Sequence, residues 1–580
     1  MIARFDDLTC AGGSFELRRP LGCFQATHLA AVPEVIDAAA RAAAGGAWVA
    51  GFVAYEAAPA FDPALRVRSP RSDLPLAWFG VFGERLPVPP VPRPASDQEK
   101  RRWRLEWTPA RHQRAVAAIK GRLAAGETYQ VNLTGRARAV VDDPAALYAS
   151  MAHAQGGAYH AYLETGTQAV ACASPELFFE QTGSRMRTRP MKGTRPRGRW
   201  PEEDAAQATA LTGSAKDQAE HVMIVDLLRN DLGRLARAGT VAVRDLRTVE
   251  RYPTVWQLTS TIEAEGCDGS LRQVFEALFP SGSVTGAPKP ATMQIITELE
   301  DEPRGVYCGA VGYLAPGRPA RARFAVGIRT AVVDLATGQA EYGAGGGITW
   351  SSDPAAEWAE LRDKCAILDA PERPSGLLET LRVDPGGGPV NLGRHVARLA
   401  ASAGFFAIPL DPDLAAKQVH AAAGGEVDGG RLRLLLTDAG ELTVSLNALP
   451  QPAPGPVRLG WAAERVDSHD VRLFHKIADR SRYDRMRAAR PEVDDVLVTN
   501  ERGEVAETTI ANLAVQLDGR WWTPPIRCGL LPGVERARLV DAGQLAERVM
   551  TVADVHRAPG LAVVNSLRGW RPAVLVDASA

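Results

Sequence analysis

The sequence of 580 residues has few cysteines, no long apolar run and almost no net charge. Its seven cysteines are scattered without a Cys-x-x-Cys pair, which argues against a disulfide framework and against a zinc knuckle. The longest weakly polar stretch, residues 42–54, consists mostly of alanine and glycine and is too short to span a bilayer. We therefore expect no membrane segment.

The charge balance excludes a further class of partner. The chain has 67 basic and 68 acidic residues, a formal net charge of −1, which gives no reason to propose nucleic acid or an anionic membrane as a partner. Residues 1–7 have neither a basic region nor an apolar core, so we expect no signal peptide. The sequence is typical of a cytoplasmic protein.

The remaining composition, 46% apolar and 23% charged, is that of an ordinary globular protein. A chain of this length is too long for one hydrophobic core and should form two or more domains. Residues 87–94 are rich in proline and predict an exposed connector. A second run of turn-forming residues follows a helical pattern, and we place the domain boundary there: domain 1–368, linker 369–376 and domain 377–580.

Periodicity predicts mixed α and β structure in both domains. The turn at residues 438–440 predicts a hairpin between two strands of the second domain. Expected strands are 48–55, 158–163, 322–333, 377–383, 431–437 and 441–448, and expected helices are 111–125, 217–235, 355–368 and 393–403.

Lys192 is the most informative single residue, in the run Arg189-Pro-Met-Lys-Gly-Thr194. The proline before it and the glycine after it predict a turn with little backbone freedom. Such a lysine either pairs with an anion or, when its charge is suppressed, serves as an amine nucleophile. Taken alone, a solvated loop lysine is the simpler explanation.

Two pairs of carboxylates have helical spacing. Asp217 and Glu220 are three residues apart, as are Glu357 and Glu360, so each pair shares one helix face. Two such helices could hold Mg²⁺, which takes oxygen ligands. For either pair alone the alternative is a solvated helix face, with Glu360 paired to Lys364.

Three further segments could bind a ligand. The glycine-rich residues 343–348 follow an expected strand and would let backbone N–H groups approach an anion, although their spacing matches no nucleotide fingerprint. Arg329 interrupts the apolar strand expected over 322–333, where it would bind a carboxylate of the protein or of a ligand. Residues 279–289 offer hydroxyl groups and amides.

These motifs, in this order, resemble the chorismate-utilising enzymes, a family that includes anthranilate, isochorismate and salicylate synthases and component I of aminodeoxychorismate synthase. The resemblance covers about residues 1–368. It implies a two-layer α/β sandwich. It rests on residues 51–56, 127–134, 174–176, 189–194, 223–232, 279–289, 304–309 and 342–350.

Within this family, anthranilate synthases carry alanine at the position of Lys192, and aminodeoxychorismate synthases carry lysine. The resemblance therefore implies that neutral Lys192 adds to C2 of chorismate as the C4 hydroxyl leaves, after which ammonia adds at C4 and expels the lysine. Glu176 matches the family's general acid, so we expect burial to raise its pKa.

The resemblance also implies the ligands of the site. Mg²⁺ bound by Glu220, Glu357 and Glu360, with Asp217 as a weaker match, would anchor the C1 carboxylate. The substrate would contact Gly193, Thr194, Tyr307, Arg329 and Gly346. Several family members have histidine where this chain has Gln257, which cannot titrate, and we interpret Gln257 as a hydrogen-bonding group toward the ring.

The second domain contains the parts of a pyridoxal phosphate site. A Schiff-base lysine needs an acid at the pyridine nitrogen, and the phosphate needs an arginine with backbone amides. Lys476, Glu507, Arg398 and the loop 530–536 could supply these groups. Individually they are explained as well by a surface charge, a turn carboxylate and a helix charge.

Together, residues 377–576 resemble the fold-type IV pyridoxal phosphate enzymes, which have two subdomains and include class IV aminotransferases and aminodeoxychorismate lyase. The resemblance implies Lys476 as Schiff base and acid/base, and Glu507 at the pyridinium nitrogen. Arg398 and the backbone of Val534 and Glu535 would surround the phosphate. The run 565–569 resembles the lyases, and Ser566 in it is expected to reach the cofactor.

Two neighbouring positions depart from this second family, since residues 477–478 are Ile-Ala where Thr-Thr is common. The two resemblances together imply a bifunctional enzyme that converts chorismate and ammonia to 4-aminobenzoate and pyruvate for folate synthesis. The sequence contains no evident glutaminase segment, so we expect a separate glutamine amidotransferase subunit. The resemblance of the second domain implies a homodimer through that domain. Two alternatives stay open: an anthranilate or isochorismate synthase fused to a class IV aminotransferase, or one half acting as a non-catalytic scaffold.

Overall fold

The computed structural model describes residues 1–9, 13–93, 103–317, 321–368, 373–386, 388–424, 429–451 and 454–576. They form two compact units, Met1–Arg197 with Gln207–Glu372, and Gly198–Ala206 with Arg373–Ala580. Both combine helices with β-sheets, so the predicted mixed class is confirmed. Residue 94 of the proline-rich connector and residues 369–372 of the expected linker lie outside the described residues.

The strands before residue 369 pair only with antiparallel neighbours, within the residues described. They are β1 Ile2–Asp6, β2 Phe15–Ala26, β3 Trp48–Val53, β4 Ala77–Pro87, β5 Arg104–Leu105, β6 Gln130–Val140, β7 Tyr159–Glu164, β8 Gln168–Ser174, β9 Leu177–Thr182, β10 Arg185–Arg189, β11 Met191–Pro196, β12 Ala242–Arg251, β13 Val255–Ala264, β14 Gly286–Ala287, β15 Ala310–Ala315, β16 Arg321–Val326, β17 Thr330–Asp334 and β18 Gln339–Ile348.

Hydrogen bonds join these strands into one sheet. Its main path runs β5-β6-β18-β17-β8-β7-β1-β2-β4-β3-β15-β16-β9-β10-β13-β12. β11 pairs with β13 beyond the end of β10, and β14 pairs with the start of β6. The helices before residue 369 are α1 Val32–Ala44, α2 Pro109–Ala124, α3 Pro144–Gln155, α4 Pro201–Gly213, α5 Ala215–Gly233, α6 Leu271–Leu278, α7 Lys289–Leu299 and α8 Pro354–Cys365.

Alternation of side chains along β8 shows how the sheet is covered on both faces. Ala169, Ala171 and Ala173 pack with α3 in one apolar cluster. Val170 and Cys172 point to the other face and join an aromatic core built from β1–β4, β7 and β15. Because the period of a strand is two, each face receives every second residue.

β4 shows the same alternation on the other half of the sheet. Trp78 and Phe82 belong to the aromatic core, whereas Phe79 and Val81 pack with α1. The sheet thus folds over its inner aromatic core, and helices cover its outer faces. Two α/β layers lie back to back, which confirms the sandwich expected for this half of the chain.

One strand expectation is wrong, because residues 322–333 form two strands, β16 and β17. The Gly327 amide donates to the Gly309 carbonyl at 2.8 Å, and a Cβ on Gly327 would stand 2.2 Å from the Val306 carbonyl oxygen. Arg329 then adopts a left-handed φ of 50°. This break lets β16 pair with β9 and β15 while β17 pairs with β8 and β18.

The second unit contains two sheets. A four-stranded antiparallel sheet has the order β20-β19-β21-β22, and an eight-stranded mixed sheet has the order β25-β24-β23-β30-β29-β26-β27-β28. The strands are β19 Gly376–Asp384, β20 Gly388–Pro389, β21 Gly430–Thr437, β22 Leu442–Asn447, β23 Val457–Trp461, β24 Asp495–Thr499, β25 Val505–Thr508, β26 Asn512–Leu517, β27 Arg520–Thr523, β28 Ala546–Glu547, β29 Gly560–Asn565 and β30 Gly569–Leu575.

Helices pack against each sheet and create separate cores. They are α9 Leu392–Phe405, α10 Pro412–Ala423, α11 Ser481–Ala488, α12 Val534–Asp541 and α13 Val552–His556. α9 and α10 cover the smaller sheet, whose β21–β22 hairpin lies where the sequence predicted it. A separate cluster of buried apolar residues packs on the larger sheet. The expected division into two subdomains is confirmed.

A segment from the N-terminal half of the sequence belongs to the second unit. The Trp200 ring packs on Phe474 with centroids 5.2 Å apart, and Arg199 donates to the Ser468 carbonyl at 3.0 Å. In the part of the chain that the structure describes, no helix is both long and apolar enough to cross a membrane.

Candidate active sites

Lys192 lies on β11 and lines a cavity of the first unit. The pairing of β11 with β13 shifts register between Met191 and Thr194, and Gly193 within the shift has a φ of 84°. Such a bulge re-aims the side chains next to it. The turn expected at Lys192 is therefore wrong: β13 provides a partner strand, and the glycine permits a bulge within a strand.

His221 of α5 fixes the backbone of this bulge. Its ring is buried and lies between the Lys192 carbonyl, 3.2 Å from Nδ1, and the Ser260 hydroxyl, 2.7 Å from Nε2. Because the Lys192 carbonyl can only accept, the neutral ring carries its proton on Nδ1, and Nε2 accepts from the Ser260 hydroxyl, which itself accepts from the Arg247 amide. Burial lowers the pKa of His221 to about 4, and the neutral ring donates from Nδ1 to Lys192.

The Lys192 amine lies against Gly347 of β18. A Cβ on Gly347 would stand 2.9 Å from Nζ, so only glycine leaves room for the amine. Burial, followed by the nearby charge of Lys364, lowers the pKa of Lys192, and the carboxylates Glu220, Glu360 and Glu176 oppose this shift. The lowered pKa brings the amine closer to the neutral form that a nucleophile requires.

Residues 343–348 lie within β18, not after a strand, and their backbone pairs with β6. They therefore do not form an anion-binding loop. Their small size matters instead: a Cβ on Gly343 would stand 2.3 Å from the ring of Tyr307. Tyr307, buried and lining the cavity, thus packs directly on the strand.

Glu176 is the buried carboxyl of this cavity, 2% exposed, in the connection between β8 and β9. Its Oε1 accepts a hydrogen bond of 2.6 Å from the Ser283 hydroxyl. Burial raises the pKa of Glu176 to about 7, against the opposing effects of Ser283 and Lys192. Near neutral pH this carboxyl can therefore be protonated and act as an acid.

The predicted carboxylates line the same cavity from two helices. α5 supplies Asp217 and Glu220, and its first turn is fixed by the Ser214 hydroxyl, which accepts from the Asp217 amide at 3.2 Å. α8 supplies Glu357 and Glu360. The helical spacing thus directs both pairs to one place.

Two lysines contact these carboxylates in the structure. Lys216 Nζ lies 3.5 Å from Glu357 Oε1, and Lys364 Nζ lies 2.6 Å from Glu360 Oε1. Burial and then the charge of Glu360 raise the pKa of Glu357, which means that a further positive charge would be favourable beside it.

The carboxylate oxygens do not converge to metal-binding separation. Among the described residues, a group of three ligand atoms within 4.8 Å of one another occurs only at the exposed Asp467, His469 and Glu501. The oxygen donors of α5 and α8 nevertheless suit a hard cation. A Cβ on Gly346 would stand 3.3 Å from Glu357 Oε2, so this glycine keeps the space beside the carboxylates open.

Arg329 lines the cavity from the break between β16 and β17. It donates to the Lys364 carbonyl, which also accepts from Tyr342 Oη at 2.8 Å. No carboxylate of the described residues forms an ion pair with Arg329. Its remaining N–H groups can therefore receive a carboxylate of a ligand.

Thr194 and Gln257 form the opposite end of the bulge. The two residues are paired across β11 and β13, and Gln257 Nε2 donates to Thr194 Oγ1 at 3.3 Å. Both line the cavity with Gly193. Of the residues predicted for the first unit, all but Gly346 line this cavity, and Gly346 lies beside Glu357.

In the second unit, Lys476 lies between the short 3₁₀ helix Val471–Phe474 and α11. Its carbonyl accepts from the Leu378 amide at 2.7 Å, and the Ala478 amide donates to the Gly376 carbonyl at 2.8 Å. β19 therefore fixes the segment 476–478. Burial, and then the charge of Arg398, lower the pKa of Lys476 to about 8.

Glu507 on β25 is buried and held by two donors. Tyr483 Oη donates to Oε1 at 3.0 Å, and Asn512 Nδ2 donates to Oε2 at 3.1 Å. Burial raises the pKa of Glu507 to about 8. A carboxyl with these properties can form a hydrogen bond to a ring nitrogen and becomes charged when that nitrogen is protonated.

Arg398 on α9 is bound by a carboxylate that sequence analysis missed. Glu379 Oε1 and Oε2 accept from Arg398 Nε and Nη2 at 2.8 and 2.7 Å, and Oε2 also lies 2.7 Å from His395 Nδ1. Arg398 Nη1 donates to the Pro532 carbonyl at 3.0 Å. The guanidinium is thereby fixed beside the loop that leads into α12.

The first turn of α12 contains Val534 and Glu535 and begins after Gly533. Amides in a first helical turn have no intrahelical acceptor and can bind an anion. A Cβ on Gly533 would stand 2.0 Å from Asn512 Oδ1, so glycine is required there. Ser566 lies in the turn between β29 and β30, and its contact with a cofactor stays a prediction.

Four contributing residues were not predicted individually. Ser283 belongs to the hydroxyl-rich run that was noted as a whole, and His221 follows a predicted ligand. Glu379 is a charged residue in the otherwise apolar start of β19, which was an available signal. Tyr483 had no distinguishing signal, because its partner Glu507 is close only in space.

Comparisons with known proteins agree with this architecture. Residues 12–369 match the family model described as chorismate binding enzyme, and residues 376–576 match the one described as amino-transferase class IV. Aminodeoxychorismate synthase of Streptomyces griseus is 46% identical over 249 residues, 42% of this chain and 34% of that protein. Anthranilate synthase component 1 of Streptomyces coelicolor is 41% identical over 284 residues, 48% of this chain and 54% of that protein.

This chain therefore spans between a third and just over half of the length of those two curated relatives. Among solved structures, anthranilate synthase component I from Streptococcus pneumoniae matches with a TM-score of 0.53 at 23% identity. The match covers 63% of this chain and 92% of that one. This last similarity concerns the fold alone.

Proposed function

Because this chain belongs to the family of chorismate binding enzymes, we propose that its first unit aminates chorismate at C4 and that its second unit releases pyruvate from the product. The end product is 4-aminobenzoate, a precursor of folate. The observation that carries the proposal is Lys192, whose amine lines a cavity together with the buried acid Glu176.

The choice of amination at C4 rests on Lys192 and not on overall similarity. Relatives of nearly equal identity carry the names aminodeoxychorismate synthase and anthranilate synthase. An amine at this position supplies a nucleophile that an alanine cannot supply. The lowered pKa of Lys192 further supports this role.

The proposed amination has two steps. The neutral Lys192 nitrogen bonds to C2, the ring double bonds shift, and the C4 hydroxyl takes a proton from Glu176 and leaves as water. Ammonia then bonds to C4, the double bonds shift back, and the Lys192–C2 bond breaks, while Glu176 recovers a proton. The pKa of about 7 for Glu176 permits it to give and take this proton near neutral pH.

Binding of the substrate needs groups for its carboxylates. Arg329 offers N–H donors to one of them, and Tyr307, Thr194, Gly193 and Gly346 shape the walls around the ring. The donors that would hold Mg²⁺ are Glu220, Glu357 and Glu360, with Asp217 near them. The cation would supply positive charge for the C1 carboxylate.

The second unit contains groups that fit pyridoxal phosphate. Arg398 and the amides of Val534 and Glu535 would receive the phosphate, Glu507 would face the ring nitrogen, and Lys476 would hold the aldehyde carbon. The cofactor supplies an electron sink.

In the proposed elimination, the Lys476 amine, once free of the cofactor, would remove the C4 proton of the substrate. The C3–O bond then breaks, the ring becomes aromatic, and enolpyruvate takes up a proton to become pyruvate. The pKa of about 8 for Lys476 suits a group that must accept a proton near neutral pH. Ser566 is proposed to contact the cofactor from the turn after β29.

Ammonia is proposed to come from a separate glutamine amidotransferase subunit. The relatives from Bacillus subtilis and Escherichia coli that are named component 1 support this assignment, because the name implies a second component. We further propose that the chain works in the cytoplasm.

The decisive experiment supplies the purified chain, loaded with pyridoxal phosphate, with chorismate, Mg²⁺ and ammonium. We expect 4-aminobenzoate and pyruvate in equal amounts. Accumulation of anthranilate would refute amination at C4. Failure to bind pyridoxal phosphate would support a scaffold role for the second unit.

Two variants separate the half-reactions. Lys192→Ala should abolish or redirect amination of chorismate and leave the release of pyruvate from supplied 4-amino-4-deoxychorismate intact. Lys476→Ala should do the reverse and lose the visible absorbance of the bound cofactor. Loss of both activities in either folded variant would contradict this division.

A further inference from the structure

Gln130 is a buried amide whose function is not explained by the fold. It begins β6 and is 0% exposed. Its backbone is well held, since Gln130 pairs with Ala287 and its carbonyl accepts from Thr128 Oγ1 at 3.0 Å. Its side-chain Nε2 and Oε1, however, have no hydrogen-bond partner among the described residues.

Leaving such a group unpaired is costly. A buried polar group without a partner has lost its hydrogen bonds to water without replacing them, and an amide has both donors and an acceptor to satisfy. Of the other buried glutamines, Gln155 has only its Nε2 unpaired. An amide that leaves both ends free is typical of a site that is completed by another group.

The Gln130 side chain points to Lys192. A Cβ on Gly347 would stand 2.1 Å from Gln130 Nε2 and 2.9 Å from Lys192 Nζ. The two nitrogens are therefore at most about 5 Å apart, the sum of these distances. Lys192 Nζ itself makes no hydrogen bond or ion pair with any residue that the structure describes.

The orientation of the amide can be reversed at little cost. Rotation by 180° exchanges Oε1 and Nε2 without changing the shape of the side chain. The carbonyl then faces Lys192, where an amine has N–H groups to donate. In this orientation the Lys192 amine, which has no other partner among the described residues, would face an acceptor.

We propose that Gln130 positions the nucleophile: its amide carbonyl accepts a hydrogen bond from the Lys192 amine and directs the amine lone pair into the cavity. A neutral acceptor suits this task because it adds no negative charge beside the lysine. Glu176, Glu220 and Glu360 already favour the ammonium form, and Lys364 opposes it. The role of Gln130 in positioning Lys192 for attack at C2 rests on the proposed amination. The contact between the Gln130 amide and the Lys192 amine does not depend on it.

Two substitutions test the contact. Gln130→Glu keeps the shape and adds a carboxylate, which at this distance should raise the pKa of Lys192 by about 1 unit or more. Gln130→Met keeps the length and removes the acceptor. Gln155→Met is the matched control, because Gln155 is also a buried glutamine with an unpaired Nε2 and lies on α3.

The first measurement does not require activity. The full-length chain is labelled with acetic anhydride at several pH values, and peptide mass spectrometry follows acetylation of Lys192. We expect the midpoint to shift upward in Gln130→Glu and to stay unchanged in Gln155→Met. An unchanged midpoint in a folded Gln130→Glu variant overturns the proposal.

The second measurement is amination of chorismate. Gln130→Met should lower kcat by about 10- to 100-fold with KM changed less than about 3-fold, because misplacing a reacting group slows chemistry more than binding. The acid limb of the pH–rate profile should move upward in Gln130→Glu. If Gln130→Met has wild-type kcat, the positioning role is refuted. If the wild-type chain does not aminate chorismate, the proposed function fails, and the labelling result still decides the contact.

Discussion

Glu379 provides the sharpest test of the second unit. It is buried and joins Arg398, through two hydrogen bonds, to His395. Burial alone would raise the pKa of Glu379, but Arg398 and His395 outweigh it and lower the pKa to about 2. The carboxylate is thus ionised and paired in the folded state.

The contribution of Glu379 to the free energy of unfolding follows from its lowered pKa. The pKa is about 2.5 units below the ordinary value of 4.5, and at about 1.4 kcal/mol per unit the interaction contributes about 3 kcal/mol to the free energy of unfolding. This contribution is fully present above pH 4.5 and is lost as the pH falls toward 2, because the unfolded carboxyl binds its proton first. Removing one partner of a buried pair costs about 3–5 kcal/mol.

Glu379→Gln should therefore destabilise the second unit by about 3 kcal/mol, which lowers the melting temperature by about 6–12 °C for a unit of this size. It should also weaken pyridoxal phosphate binding about tenfold, because Arg398 loses the carboxylate that fixes it beside Pro532. Visible circular dichroism of the bound cofactor reports both effects. Glu441→Gln, at an exposed position next to β22, is the matched control.

A Glu379→Gln variant with the melting temperature and cofactor affinity of the wild type would refute this reasoning. It would mean that Arg398 is held by its other contacts, or that the charge of Glu379 is balanced by its cost of burial. Measuring the melting temperature from pH 3 to 7 separates these explanations. The variant has no ionisable side chain at position 379. Only the wild type should therefore lose the stability that Glu379 contributes as the pH falls below 4.5.

Three further outcomes are expected. Gly343→Ala places a methyl group 2.3 Å from the ring of Tyr307 and should destabilise the first unit by about 1–3 kcal/mol, whereas Gly121→Ala on α2, which meets no atom within 4 Å, should not, as urea unfolding would show. Association of pyridoxal phosphate with the cofactor-free chain, followed by stopped-flow absorbance, should accelerate with pH around a midpoint near 8, because only the neutral Lys476 amine reacts. Withdrawal of Mg²⁺ with EDTA should stop amination and leave pyruvate release from supplied 4-amino-4-deoxychorismate unchanged; equal loss of both would contradict the separate sites.

The sequence predicted the classes of both units because their patterns are local. Alternation along β8 and the spacing of Glu357 and Glu360 on α8 depend on neighbours within a few residues. The prediction failed over residues 322–333, where an apolar run continued across a break. The break depends on contacts of Gly327 with residues 306 and 309, which are remote in sequence.

The same limit applies within the sites. Motifs in the sequence were sufficient to identify four site residues, because lysine and glutamate side chains have a characteristic chemistry. These residues are Lys192, Glu176, Lys476 and Glu507. Glu379 could have been noticed as a charge in an apolar strand. Contacts such as Ser283 with Glu176 join distant segments, and no local pattern encodes them.

The protonation of Lys192 shows why this matters for function. Motifs identify the lysine, but its pKa depends on burial, on the charge of Lys364 from α8, and on carboxylates from α8, from α5 and from the connection between β8 and β9. Because one pKa unit is a factor of ten in the ratio of neutral to charged amine, the placement of these groups controls how much neutral Lys192 is present. In our proposal, the unpaired amide of Gln130 gives the Lys192 amine an acceptor without adding charge. The reactivity of Lys192 is therefore a property of the folded cavity, and variants of its neighbours will reveal more about it than variants of the lysine itself.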